Sequence, residues 1–355
     1  MIRTFVFLLL VIFPLIISAK FVDSDRAVNV AKLFYQKQYY RFNKEIKTVE
    51  IKDFQVFSIN NTPTCYIVKI IPIGFVIVSA DDNAFPIIGY SFDEDILPNQ
   101  LPESLQEYLN LVSNQIIQAT SQKQSDYNNI WYKIENEPLT KTSYSENAVA
   151  PLLNLYWDQG VPYNNYCPPN SHGPGGHCVT GCVATAMAQA MKYWNYPEHG
   201  KGFKTFIWSD IDTIDYENTY YRWSQMTPSA NSQSGDAIAE LMYHCGVSVN
   251  MNYGPDGSSS YTEWVPDAMK DYFRYHPSIR FKQRSKFTDY DWDILIRDEL
   301  NFRRVVIYSG SGTGGHAFVC DGYQDTCFYH FNWGWSGYAN GYYYYNDLTP
   351  GSNDF

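Results

Sequence analysis

The sequence carries little charge and contains no basic stretch. Only 18% of its 355 residues are charged, and 37 acidic against 26 basic side chains leave a net charge of −11. Binding to a phosphate backbone requires clustered Lys and Arg, so neither a nucleic-acid partner nor an anionic membrane surface is expected. The hydrophobic content of 45% is typical of globular proteins, and the length has room for two domains.

Apolar runs long enough to cross a membrane are also missing. The longest such run, residues 5–17, has 13 residues, whereas a spanning helix needs about 20. It follows Arg3, and the small residues Ser18 and Ala19 end it before Lys20. This is the pattern of a secretory signal peptide, so residues 1–19 are expected to direct secretion and no membrane span is expected.

Cysteine is scarce, and its number is odd. The chain has seven cysteines, and secretion would place them in an oxidising compartment where pairing is favoured. An odd count leaves at least one thiol without a partner in the same chain, and such a thiol is a candidate nucleophile.

The remaining sequence divides into two parts. Residues 20–120 combine helical periodicity at both ends with β-branched segments between them, which predicts an α+β domain. Residues 121–149 are mostly polar and are predicted to be an exposed, cleavable linker. Residues 150–355 form the second and larger domain. The predicted elements of the first part are helices at 25–40 and 102–118 and strands at 49–59, 65–71 and 75–79.

The most informative segment begins just before Cys182. A helix rich in Ala and Met is predicted from Cys182 onward, with Thr180 placed to cap it. Cys182 would then lie in the first turn, where free backbone N–H groups lower a cysteine's pKa and favour the nucleophilic thiolate. The alternatives are a buried core cysteine and half of a cystine with Cys178.

A nucleophilic cysteine needs a base, and His316 stands apart among the seven histidines. It opens an apolar run that is predicted to be a buried strand, and Asn332 follows 16 residues later on the predicted neighbouring strand. His316 lies 134 residues after Cys182. This order and separation are those of papain-like sequences, in which a thiolate and an imidazolium react and an Asn orients the imidazole.

Several blocks of the sequence resemble the streptopain family of secreted cysteine proteases, peptidase family C10. The blocks cover both parts of the chain and lie at residues 74–79, 88–91, 156–164, 180–186, 249–255, 315–319 and 329–335. The resemblance implies a zymogen in which an α+β pro-domain inhibits its own papain-like catalytic domain. That domain would carry Cys on its N-terminal helix and His and Asn on an antiparallel sheet, and its substrates would be proteins and peptides.

The resemblance also implies a role for each site residue. Cys182 would form a thioester with the scissile carbonyl, and His316 would protonate the leaving amine. Asn332 would orient His316, and Trp333 would shield that hydrogen bond from water. Gln159 would stabilise the oxyanion together with the Cys182 N–H. Taken alone, Gln159 is also compatible with a plain loop residue and Trp333 with a core aromatic.

Two features depart from the family pattern. Cys167 and Cys178 flank the loop before the nucleophile, and a disulfide between them would contribute about 3 kcal/mol in the loop-entropy model. Pairing of Cys178 with Cys182 would instead inactivate the enzyme. The chain also stops at Phe355, where family members continue, so the C-terminus is that of either a fragment or a shortened variant.

The leading interpretation is a secreted cysteine endopeptidase made as a zymogen. The alternatives are a catalytically silent secreted binding or inhibitory homologue, and another thiol enzyme such as an amidase or acyl transferase. No cofactor is expected. No metal is expected either, because the only candidate zinc set has poor spacing; it consists of Cys167, His172, His177 and Cys178.

Overall fold

A computed structural model describes residues 21–43, 48–119, 127–138, 148–208, 211–232, 234–311 and 315–345. The expectations for the signal peptide and for the end of the chain lie outside these residues. The helices are α1 (Ser24–Asn43), α2 (Glu103–Ala119), α3 (Asn128–Asn136), α4 (Cys182–Trp194), α5 (Gly235–Ser248), α6 (Val265–Tyr272) and α7 (Asp289–Asn301). The strands are β1 (Glu50–Ile59), β2 (Thr62–Ile71), β3 (Phe75–Ser79), β4 (Ile87–Ser91), β5 (Ala148–Val149), β6 (Phe203–Ile207), β7 (Ile211–Asp215), β8 (Val306–Ser311), β9 (Gly315–Gln324), β10 (Phe328–Asn332) and β11 (Gly341–Tyr344).

The expected α+β class is confirmed, and the elements predicted for the first part are all present. α1 buries the face formed by Ala27, Val30 and Phe34. Strands β1 to β4 follow as an antiparallel meander, and β3 and β4 are buried along their whole length. α2 then buries Leu105 and Leu109. The apolar periodicity of the sequence therefore identified the faces that pack.

A single nine-stranded sheet joins the two parts of the chain. Its strands lie in the order β1-β2-β3-β4-β11-β10-β9-β5, and β8 also pairs with β9. The junction is the antiparallel pair β4–β11, in which Tyr90 lies opposite Tyr342 and Gly89 opposite Tyr343. The strands of the first part of the chain are thus hydrogen-bonded, through β4, to the strands of the second part, which include those that carry His316 and Asn332.

The described residues form two hydrophobic cores, which meet at β9. One core contains α1, α2, α3 and α7, and the other contains α4, α5 and α6. Strand β9 contributes to both cores, because Phe318 and Cys320 belong to the first and Ala317 and Val319 to the second. This alternation follows from the two-residue period of a strand. No helix in the described ranges is long and apolar enough to cross a membrane.

The prediction of an exposed segment at 121–149 is wrong for α3. The Trp131 side chain is only 1% exposed, and its indole N–H donates a hydrogen bond of 3.0 Å to the Ala84 carbonyl. The Arg26 guanidinium lies 4.8 Å from the centre of the Trp131 ring. Trp131 and Ile134 share one face of the short helix and are both buried. Trp131 and Ile134, with the partly buried Tyr127 and Ile130 packed against the same core, dock a segment that has a mostly polar composition.

Replacement of Trp131 by Ala should lower the free energy of unfolding by about 3–5 kcal/mol, because it removes a fully buried aromatic ring. Chemical denaturation of the full-length chain would measure this loss. Tyr132→Ala on the same helix is the control, since Tyr132 is 61% exposed and its loss should cost less than about 0.5 kcal/mol. Equal effects of the two changes would contradict the docked position of α3.

Candidate active site

The backbone before Cys182 brings the start of α4 close to its neighbours. Gly181 occupies the N-cap position with φ +87° and no side chain caps the helix, so the prediction that Thr180 is the cap is wrong. The Thr180 hydroxyl instead lies 3.1 Å from that of Thr185. A Cβ at Gly181 would lie 2.8 Å from the Met251 sulfur, so only glycine fits this approach.

The Cys182 sulfur is partly buried, and its pKa is raised. Burial is the largest cause, and the negative charge of Glu103 acts in the same direction. The backbone N–H groups of Ala317, Val183 and Cys182 itself lower the pKa, but by less than burial raises it; the Ala317 nitrogen lies 3.3 Å from the sulfur. The predicted lowering of the pKa is therefore wrong in this state, because desolvation outweighs the amide groups at the helix N-terminus.

The His316 imidazole faces the first part of the chain. Its Nε2 lies 3.6 Å from an Oε of Glu103 and 3.9 Å from an Oε of Glu107, both on α2. Within the described residues, no hydrogen bond joins the His316 ring to Cys182 or Asn332. The backbone next to His316 thus contacts the Cys182 sulfur, but the side chains of the expected base and nucleophile do not form a hydrogen bond within the described residues.

Asn332 lies on β10 next to β9, as predicted, although its register partner is Val319. Its Nδ2 donates to the Leu155 carbonyl at 2.7 Å, and its Oδ1 accepts from the Gly334 N–H at 3.0 Å. The Asn332 amide therefore holds two pieces of backbone: the segment at Leu155, which precedes Cys182 in the chain, and the turn after β10. It does not orient His316 in this arrangement.

Trp333 is placed in the core next to this site. Its side chain is 2% exposed, and its ring centre lies 4.7 Å from that of Phe318 and 5.1 Å from that of Tyr343. The indole N–H donates to the Ala339 carbonyl at 2.9 Å. The position agrees with the core-aromatic alternative, and the ring packs on the face of β9 that carries Phe318.

A backbone hydrogen bond holds Gln159 near Cys182. Its carbonyl accepts a hydrogen bond of 3.0 Å from the N–H of Thr180, two residues before Cys182. Its own N–H donates to the Asp158 carboxylate. This anchoring holds Gln159 next to the start of α4, and its side chain is partly exposed.

Cys167 and Cys178 are free thiols in this structure, so the possible disulfide between them is not formed. The Cys178 N–H donates to the Pro168 carbonyl at 2.9 Å, and Pro169 pairs with His177, which places Pro168 and not Cys167 opposite Cys178. Among the described residues, no group of His, Cys, Asp and Glu side chains is arranged to hold a metal ion.

The sequence did not single out Glu103 and Glu107. They stand four residues apart on α2, beside its buried face, and helical carboxylates at such positions are normally solvated. Only the docking of α2 against the start of β9 turns them toward His316, and no local pattern records that contact.

Comparison with known proteins matches both parts of the chain. Residues 157–343 match the Peptidase C10 family model, and residues 19–116 match the model of the Spi protease inhibitor. Streptopain of Streptococcus pyogenes is 33% identical over 308 residues, which cover 80% of this chain and 74% of the relative.

The thiol protease/hemagglutinin PrtT of Porphyromonas gingivalis is 33% identical over 296 residues. The match covers 79% of this chain but only 33% of PrtT, so the chain spans about a third of that relative.

Two solved structures are similar as well. A prointerpain A fragment of Prevotella intermedia has a TM-score of 0.69 and 30% identity, covering 84% of this chain and 94% of the fragment. Active interpain A of the same organism, a cysteine protease, has a TM-score of 0.52 and 34% identity, covering 56% of this chain and 86% of that protein.

Neutralising Glu103 should make Cys182 more reactive. The Glu103 charge raises the Cys182 pKa, so Glu103→Gln should lower that pKa and increase the thiolate fraction at a given pH. Alkylation of Cys182 by iodoacetamide, followed by peptide mass spectrometry, should become measurably faster near pH 8, and its rise with pH should begin at lower pH.

The matched control is Glu50→Gln, because Glu50 is an exposed carboxylate on β1. This change should leave the alkylation rate of Cys182 unchanged. An unaltered pH profile for Glu103→Gln would contradict the electrostatic contact between α2 and the nucleophile.

Proposed function

The chain belongs to the peptidase C10 family of cysteine proteases and carries an inhibitory pro-domain, and from this premise we propose how its residues perform and restrain proteolysis. Cys182 is the nucleophile and His316 its proton carrier, in a papain-like domain at 150–355. Residues 20–120 are the inhibitor, and residues 1–19 direct secretion of the precursor. Proteins and peptides are the substrates.

The proposed reaction forms and breaks one covalent bond to Cys182. The thiolate attacks the scissile carbonyl carbon, and the resulting tetrahedral intermediate collapses to a thioester as the C–N bond breaks. The His316 imidazolium donates its proton to the leaving amine. His316 then accepts a proton from water, which attacks the thioester and releases the acid product and the free thiolate.

The observation that carries this proposal is the contact between the start of α4 and the start of β9. The Ala317 N–H donates to the Cys182 sulfur at 3.3 Å, and Ala317 is the neighbour of His316. A reorientation of the His316 side chain would therefore be enough to bring an imidazole nitrogen to the sulfur. Asn332 on the adjacent strand would then orient the ring, and Trp333 would exclude water beside it.

The proposed inhibition rests on contacts between the pro-domain and this site. Glu103 and Glu107 lie 3.6 and 3.9 Å from the His316 ring and favour a position of the ring away from the sulfur. On the same strand pair, the Arg41 guanidinium of α1 donates to Asp325 at 2.7 Å in the β9–β10 turn. Removal of residues 20–120 would free His316 and remove the Glu103 charge that raises the Cys182 pKa.

The proposed maturation cleavage falls between α3 and β5. α3 belongs with the pro-domain, because the Lys37 ammonium of α1 donates to the Ile134 carbonyl at 2.7 Å. β5 belongs with the catalytic domain, because Val149 pairs with Tyr323 on β9. A cut between residues 137 and 147 would therefore separate the two domains without breaking either.

Cys182→Ala should remove both self-processing and proteolysis, since the thioester can no longer form. We expect the precursor to stay full length and casein hydrolysis to fall by at least about 10³-fold. Wild-type protein should instead yield a new N-terminus between residues 137 and 148, which N-terminal sequencing would locate.

The control is Cys327→Ala, which removes another partly buried thiol and should leave processing and hydrolysis unchanged. Proteolysis by Cys182→Ala at the wild-type rate would exclude the thiol mechanism. Amide cross-linking in place of new peptide ends would identify an acyl transferase.

Gln159→Ala should lower kcat by about 10²–10³-fold if the Gln159 side-chain amide and the Cys182 N–H bind the oxyanion. KM should change little, because the oxyanion exists only after attack. Steady-state kinetics on the mature enzyme would separate the two parameters. The exposed Gln225 offers the control Gln225→Ala, and a loss confined to KM would assign Gln159 to substrate binding instead.

A further inference from the structure

Gln189 lies on the nucleophile helix, on the stripe that begins at Cys182. The two residues are seven positions apart, with Thr185 between them, so all three point to the same side of α4. The Gln189 side chain is 0% exposed. A fully buried amide at this place is unusual, because the other buried residues of the helix, apart from Thr185, are Ala, Val and Met.

The Gln189 amide has no hydrogen-bond partner. Neither its Nε2 nor its Oε1 is bonded to any of the residues that the structure describes, whereas the neighbouring Thr185 hydroxyl donates to the Gly181 carbonyl at 3.0 Å. Buried polar groups in native proteins are nearly always paired, and an unpaired one is a candidate for a functional role. The structure therefore leaves the unpaired Gln189 amide in the core, where a polar group without a hydrogen bond is unfavourable.

The unpaired amide lies against the turn that follows β10. Gly334 has φ +70°, and a Cβ at this position would lie 2.9 Å from a Thr185 methyl group and 3.6 Å from the Gln189 Nε2. The absence of a side chain lets the turn backbone rest directly on the helix. Gln189 is thus within reach of this turn after a rotation of its side chain.

The same turn is held by Asn332, which is proposed to orient His316. The Gly334 N–H donates to the Asn332 Oδ1 at 3.0 Å, and the Asn332 Nδ2 is engaged with Leu155. When Asn332 turns its Oδ1 toward the His316 ring, the bond to the Gly334 N–H is weakened or lost. A buried N–H then needs another acceptor.

We propose that Gln189 is a positioning residue that supplies this acceptor. Its Oε1 takes the Gly334 N–H in the active arrangement, and so fixes Asn332 against His316. Because neither amide atom is bonded to a described residue in the precursor, no hydrogen bond of Gln189 has to break when the amide turns its oxygen toward the Gly334 N–H. The inference rests on the proposed roles of His316 and Asn332. In this arrangement α4, which carries Cys182, would also align His316 through Gln189.

The test is Gln189→Met, which keeps the length of the side chain and removes both polar atoms. In the mature enzyme kcat should fall roughly 10- to 100-fold with KM unchanged, because a catalytic group that is displaced loses rate and not substrate affinity. The alkaline limb of the pH profile should also move to lower pH, since an unaligned Asn332 stabilises the His316 imidazolium less.

A second measurement separates positioning from ordinary stabilisation. In the inactive Cys182→Ala precursor, Gln189→Met should leave Tm unchanged or raise it, because the change removes an unpaired buried amide. A residue that only stabilises the core would lower Tm and kcat together and leave the pH profile in place. That outcome would overturn the inference, as would a wild-type kcat in the variant.

The matched control is Met191→Leu, a volume-conserving change at a position of α4 that is also 0% exposed. It faces α5, where the Cys245 sulfur lies 3.7 Å from the Met191 sulfur, and it should alter neither kcat nor the pH profile. If Gln189→Met does not mature, a crystal structure of the wild-type mature enzyme decides. A distance from Oε1 to the Gly334 nitrogen of about 3.2 Å or less supports the inference, and one beyond about 3.5 Å overturns it.

Failure of the proposed function has a different signature. If Cys182→Ala retained proteolysis, the catalytic assignment would fall whatever Gln189→Met did. If Cys182→Ala is inactive and Gln189→Met behaves as wild type, only the inference about Gln189 is wrong.

Discussion

The pairing of β4 with β11 is the contact on which the arrangement of the site depends. It joins the pro-domain sheet to the catalytic sheet through two residue pairs, Tyr90–Tyr342 and Gly89–Tyr343. A Cβ at Gly89 would lie 2.6 Å from the Tyr343 ring, so the close approach of the strands requires glycine there. Because α2 follows β4 in the chain, this pairing sets where Glu103 and Glu107 meet His316.

In the proposed mechanism, the opposing effects on the Cys182 pKa explain how one helix terminus could serve both a silent and an active enzyme. Backbone N–H groups at the start of α4 favour the thiolate, while burial and the Glu103 charge favour the thiol, and burial dominates in the precursor. The amide groups belong to the catalytic domain, whereas Glu103 belongs to the pro-domain. In the proposed maturation, separation of the domains would remove the Glu103 charge but keep the amides, so the balance would move toward the thiolate.

Much of the fold and of the candidate site could be predicted from the sequence, and the predictions that were wrong have physical causes. Apolar periodicity identified the buried faces of α1 and α2. The elements predicted around the motifs also placed Cys182 at the start of a helix and His316 and Asn332 on neighbouring strands, as the structure has them. The Thr180 cap failed because Gly181 took a positive φ that allows the helix to begin without a side-chain cap. Contacts of α3, Glu103 and Glu107 arise only when separate elements dock, and no local pattern encodes them.

The strand that carries His316 shows why residue size at one position matters to the chemistry. Along β9 the large Phe318 faces the aromatic core with Trp333, and the small Ala317 faces α4. A larger side chain at 317 would hold the helix away from the strand, and the Ala317 N–H would no longer reach the Cys182 sulfur. The alternation of large and small residues thus places the Cys182 sulfur against the backbone of Ala317, next to His316, the proposed proton carrier.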